Sequence, residues 1–216
     1  MLTRARAVVL AVAGLSLAAC SNVHPGAAAV VGDTSISMKT LDETAAVYCI
    51  DQLNQAKQQG ITAVSNSAVR QQAVLALATL TVAREIADEK GLEIDPGSYE
   101  VPDGDRDAVA KAFPGIDVDT TVSVISDSRE ISAIALALGE ASTGQTATEQ
   151  TQAQLAEVGQ KEITDEFAAK DVKFSPRFAL SPSGQPRDSS TGSISVAPVD
   201  LEATPAEELP DDQRCS

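Results

Sequence analysis

Residues 71–83 are thirteen consecutive positions without a charged side chain. The run is too short to span a bilayer, which takes about 20 apolar residues. It suits instead the centre of a helix covered on all sides by protein. Residues 67–90 are read as that helix, with Gly91 placed to cap its C-terminus. Any fold open to this chain must surround such a helix.

The candidates to surround it are read from apolar residues recurring at three and four. Residues 38–59 place Leu41, Ala45, Tyr48, Cys49 and Leu53 on one side, and Gly60 ends the pattern. Residues 106–113 form a short helix stopped by Pro114 and Gly115. Residues 119–138 carry Val124, Ile125, Ile131, Ile134, Ala135 and Leu138, and residues 142–146 break the pattern. Residues 148–170 turn Leu155, Val158, Ile163 and Phe167 inward. Along the outer side, Lys161 stands four residues from both Glu157 and Asp165, spacings that suit ion pairs. Aromatic residues make up 3% of the chain, with no Trp, so the helices must pack closely through Ala, Val, Leu and Ile. The acidic charge alone would allow disorder. A hydrophobic content of 43% argues that most of the chain folds.

Strand signals flank the helices. Residues 27–31 and 34–37 favour β structure around Gly32 and Asp33, a two-residue hairpin turn. Ser37 is then placed to cap the first helix. Near the other end, Val172, Phe174, Phe178 and Leu180 alternate as in a strand over residues 172–180. Pro176 confines that strand to an edge or makes it irregular. Residues 181–192 read as a loop, 193–199 as a last short strand, and 203–216 as an acidic, mobile tail unless Cys215 pins it. The fold class expected is mostly α: about five helices, a small β-hairpin and a returning C-terminal strand.

The first nineteen residues read as a leader. Arg4 and Arg6 precede an uncharged apolar stretch at 7–17, and Leu17, Ala18 and Ala19 lead into Cys20. This resembles the lipobox of bacterial lipoproteins, which implies that the Cys20 thiol takes a diacylglycerol group and becomes the new N-terminus. Beyond the leader, fourteen basic residues face thirty-one acidic ones, a formal charge of −17. That charge opposes nucleic-acid binding and contact with anionic lipid, so membrane residence requires the covalent anchor. Acylation, including palmitate, would supply it with more than one chain. Residues 20–26 are then a lipidated tether, 27–200 the helical domain and 201–216 an acidic tail. The expected location is the extracytoplasmic face of the cell membrane.

Two further cysteines remain, Cys49 and Cys215. An oxidising compartment permits one disulfide between them. The alternative is a buried free Cys49 and a loose, exposed Cys215. The pair is the favoured reading, because an unpaired thiol one residue from the end would be exposed and reactive.

The stretch 27–37, reading AAAVVGDTSIS and followed at once by a helix, is similar to the start of SurA-type periplasmic chaperones and of PrsA-type foldase lipoproteins. Val172 to Phe178, with the triplet Pro176, Arg177, Phe178, resembles the returning strand of actinobacterial SurA-N-like lipoproteins. Ala179 stands where that pattern usually shows Gly. The resemblance implies a SurA-N-like helical domain that binds unfolded or exported proteins. Many such proteins carry a parvulin domain before the returning strand. Here Lys170 leads directly into the strand, and the single histidine, His24, lies in the tether. Isomerase activity is therefore not expected.

Catalytic signatures are sparse. With His24 outside the expected fold, neither a Ser-His-Asp nor a Cys-His arrangement is available. No spacing suits zinc, and Asp103, Gly104, Asp105 and Asp107 lack the glycine and glutamate of a calcium loop. No cofactor, metal or catalytic residue is expected. The function expected is chaperone-like capture in a groove between helices with lightly exposed apolar faces. The alternative is a structural or adaptor lipoprotein binding one specific cell-envelope partner.

Overall fold

The computed structural model describes residues 26–187 and 205–215. The leader, Cys20, the tether as far as Pro25 (His24 included) and the strand expected at 193–199 lie outside the described residues. In chain order the elements are β1 (Ala27–Val31), β2 (Thr34–Ser37), α1 (Met38–Gln58), β3 (Val64–Ser65), α2 (Asn66–Lys90), α3 (Arg106–Ala112), α4 (Val118–Thr143), α5 (Gln152–Ala169), β4 (Val172–Phe174) and β5 (Arg214–Cys215). The fold is mostly helical, with a small antiparallel hairpin and a returning strand, as the sequence implies.

The hairpin turns at Gly32, whose φ of +54° a side-chain-bearing residue would resist. β1 is the middle strand of three, with β2 on one side and β4 on the other, both antiparallel. Val31 faces Val172 across one ladder and Thr34 across the other. Ala28, Ala29 and Val31 are buried, which places this small sheet against the helices rather than beside them. The Ser37 hydroxyl accepts the Thr40 N–H at 3.0 Å, capping the first turn of α1.

The uncharged run becomes the centre of α2. Val69, Ala73, Val74, Ala78, Val82 and Ala83 are all fully buried there. Helices α1, α4 and α5 and strand β1 cover it. Ser65 caps its start and Gly91, at φ +64°, ends it, with the Leu92 N–H returning to the Ala87 carbonyl.

Three boundaries differ from the sequence expectation, each for a local reason. Helix α4 continues past Leu138 to Thr143, where Gly144 at φ +68° closes it. Helix α5 begins at Gln152 rather than 148, because the Thr148 and Thr151 hydroxyls each accept the other's backbone N–H and hold a separate turn. The returning strand keeps only its first three residues. Pro176 cannot donate to a ladder, and Pro176–Phe178 coil into one 3-10 turn. Ala179 follows at φ +48°, the one non-glycine positive φ among the described residues. The Gln71 side chain ties this segment to α2 by donating to the Phe178 carbonyl at 2.8 Å.

Helices α4 and α5 touch backbone to backbone. A methyl group at Gly139 would collide with the Leu155 carbonyl, and one at Gly159 with the Ala135 carbonyl. The two contacts run in opposite directions along the helices, so two bare glycines, each against a backbone carbonyl of the other helix, set how near they come. Helix α1 contacts both α2 and α4, and a small cleft remains where the three meet.

Candidate functional site

The floor of the cleft is made where α1, α2 and α4 converge. Tyr48 comes from α1, Leu77 and Leu80 from α2, and Val124, Ser128 and Ile131 from α4. They leave a space of about 10 Å3, room for roughly one water. The Ser128 hydroxyl donates to the Val124 carbonyl at 3.0 Å, one turn back. Its single proton being used there, it accepts from the Tyr48 hydroxyl, 3.1 Å away. This side-chain hydrogen bond joins α1 to α4 at the bottom of a mostly apolar floor, which Thr44 and Asp127 also line.

The mouth is polar. Thr40 and Glu43 on α1 face Asp119, Thr120 and Ser123 on α4 across about 280 Å3. The carboxylates there are partnered: Lys39 reaches Glu43 at 2.5 Å, and Arg106 pairs with Asp119. Asp127 stands at the junction of floor and mouth.

Arg84 organises the far wall. It is the first charged residue after the uncharged run, one turn beyond Leu80 on α2. Its guanidinium donates to Glu130 from Nε at 3.0 Å and from Nη2 at 2.5 Å, and also reaches Asp127 at 2.9 Å. The hydrogen bond to Glu130 holds Arg84 protonated even more firmly than usual. Burial pushes the Asp127 carboxyl above its ordinary value, and Arg84 only partly offsets that. Beyond this wall a second hollow of about 380 Å3 opens beside Tyr99 and Arg106.

The arrangement can recognise hydrogen-bonding or basic groups presented to the mouth. At the mouth the Thr120 hydroxyl donates to the Asp117 carboxylate at 3.1 Å, a contact that belongs to the cap of α4. Among the described residues no three His, Cys, Asp or Glu side chains converge to hold a metal ion. Nor is any described helix long and apolar enough to cross a membrane.

Of the residues singled out in the sequence, Cys20 lies outside the described residues. Cys49 and Cys215 are brought together, with sulfurs at bonding distance and Cα atoms 5.8 Å apart, within the span a disulfide requires. Cys49 lies on α1, half-buried, and Cys215 on β5, buried. The expected apolar faces are largely covered. Ile61, at 41% exposure, is the only large hydrophobic side chain exposed among the described residues.

Sequence reading passed over the Arg84, Asp127 and Glu130 cluster and the Tyr48–Ser128 contact. Two signals pointed there. Arg84 ends the uncharged run, and Asp127 to Glu130 interrupt the apolar pattern of the fourth helix. No family model, curated protein or solved structure matches this chain.

Proposed function

We propose that this chain is a lipid-anchored adaptor of the cell envelope. An acylated Cys20 holds it on the extracytoplasmic face of the membrane, and the α1–α4 cleft receives one specific partner. The observation that carries this reading is the character of the described surface. The cleft mouth is built of hydroxyls and partnered carboxylates, and Ile61 is the lone exposed large hydrophobic among the described residues. Capture of many unfolded clients draws on contiguous apolar patches of several hundred Å2, whereas a polar, shaped mouth selects among partners.

Chaperone-like capture is the second reading, favoured by one feature. The hairpin, the helices and the returning strand β4 beside β1 follow the layout that the SurA-N resemblance implies. Two measurements separate the readings. In a light-scattering assay a chaperone suppresses aggregation of several unrelated unfolded proteins, and an adaptor suppresses none. Crosslinking in intact cells should trap one protein at fixed stoichiometry with the native chain, and lose it when Glu43 and Thr120 are both replaced by Arg. Broad suppression, or trapping of many proteins insensitive to those changes, would reverse the preference.

A further inference from the structure

We propose that residues 205–215 are a redox-released strap, latched onto the α1–α2 end of the body by a Cys49–Cys215 disulfide. The latch requires neither the anchor nor the partner.

The strap lies across the connection between α1 and α2. Cys215 pairs with Val64 and Arg214 with Ser65 in the β3–β5 ladder. The Thr62 N–H reaches the Glu207 carboxylate at 3.3 Å. Leu209 is buried, and Cys215 joins the main core at 6% exposure. Between the strap and the start of α2 lies a pocket of about 360 Å3, bounded by Leu209, Asp212 and Gln213 on one side and Ser65, Ser67 and Arg70 on the other. That pocket exists only while the strap is docked.

The non-covalent hold is thin. The ladder is two residues long, and Leu209 is the one large apolar side chain the strap buries. Arg214 spends its bonds inside the strap, on the Glu207 carbonyl and on Asp211. Its Nε is buried with no partner among the described residues, so docking costs that group its water. Four of the eleven residues are acidic against one Arg, on a chain of formal charge −15, so docking also works against repulsion. Ordering eleven backbone residues costs more than one leucine and a two-residue ladder return. The covalent bond is what keeps the end of the strap at the body.

Release needs an external dithiol. One of its thiolates attacks the sulfur of Cys49, the more exposed of the pair. The Cys49–Cys215 bond breaks, Cys215 leaves as a thiolate and is protonated, and a mixed disulfide forms on Cys49. The second thiolate of the dithiol then attacks the dithiol's own sulfur in that mixed disulfide. The dithiol closes to its oxidised ring, and Cys49 leaves and takes a proton. The protein gains two electrons and two protons, and the dithiol loses them. The strap then leaves β3, baring its edge and dismantling the pocket.

The test uses the whole chain, oxidised or treated with dithiothreitol, under limited proteolysis by an acid-residue-specific protease. Cleavage within 205–215 should rise at least tenfold on reduction, with helical circular dichroism and cleavage within 27–187 unchanged. Cys215→Ser should match the reduced form without dithiothreitol, and Leu209→Ala in the oxidised chain should stay protected. Three results would overturn the latch: a strap protected after reduction or in Cys215→Ser, helical signal lost together with it, or alkylation of Cys49 in the folded, unreduced chain.

Discussion

The backbone of Gly139 on α4 rests directly against the carbonyl of Leu155 on α5, and Gly159 rests against the carbonyl of Ala135 in the same way. Each glycine is there because a β-carbon would overlap a neighbouring backbone, which, unlike a flexible side chain, cannot step aside.

Replacing either glycine by alanine should therefore force the two helices apart. The expected loss is about 1–3 kcal/mol for each single variant, the usual cost of overpacking. Chemical denaturation of Gly139→Ala and Gly159→Ala measures it. The double variant should lose less than the two combined, because helices already separated by one methyl group accommodate the second. Unchanged stability in both single variants would contradict the close approach.

Ala179 should gain from losing its methyl group. It holds φ +48° at the end of the Pro176–Phe178 turn, a conformation in which a β-carbon costs roughly 1 kcal/mol. Its Arg187 neighbour fixes the position by donating its backbone N–H to the Ala179 carbonyl at 2.7 Å. Ala179→Gly should raise the thermal midpoint, with glycine's greater freedom in the unfolded chain taking back part of the gain. A lowered midpoint would show that strain is not what this position carries.

The Arg84 cluster makes a prediction with a definite sign in pH. Burial raises the Asp127 carboxyl, so the folded chain holds that proton more tightly than the unfolded chain does. The contribution of Asp127 is thus most favourable below the ordinary aspartate value, near pH 4, and is lost as pH rises through the folded-state value. Asp127→Asn keeps an oxygen for Arg84 and removes the half-buried charge. It should be equally or more stable at pH 7, by no more than about 1 kcal/mol, and should flatten the stability curve just above pH 4. Arg84→Ala leaves both Asp127 and Glu130 without their cation and should destabilise at pH 7. Urea titrations at pH 4 and pH 7 decide the matter, and an Asp127→Asn chain clearly weaker than the parent at pH 7 would refute it.

Anchoring rests on Cys20. Metabolic labelling with palmitate should mark the native chain and not Cys20→Ser, and the variant should leave the membrane fraction. A Cys20→Ser chain that is processed normally and stays with the membrane would remove the anchor from the proposal.

Much of the framework could be read locally. The period of the apolar residues, the glycine turn at Gly32, the serine cap at Ser37 and the stop at Gly91 are decided within a few residues of chain, and the structure places helices and hairpin accordingly. Local chemistry also explains where the reading overran: a proline halts the returning strand after Phe174, and a pair of threonines delays the fifth helix. The contacts that make this molecule particular lie between segments far apart in the chain. Gly139 meets Leu155 only because two helices pack at one distance and rotation. Arg84 finds Asp127 and Glu130 more than forty residues away. Cys49 and Cys215 meet across a separation of 166 residues. Periodicity says which face of a helix is apolar but not which face of which neighbour it will meet, so these pairings were set by packing in three dimensions.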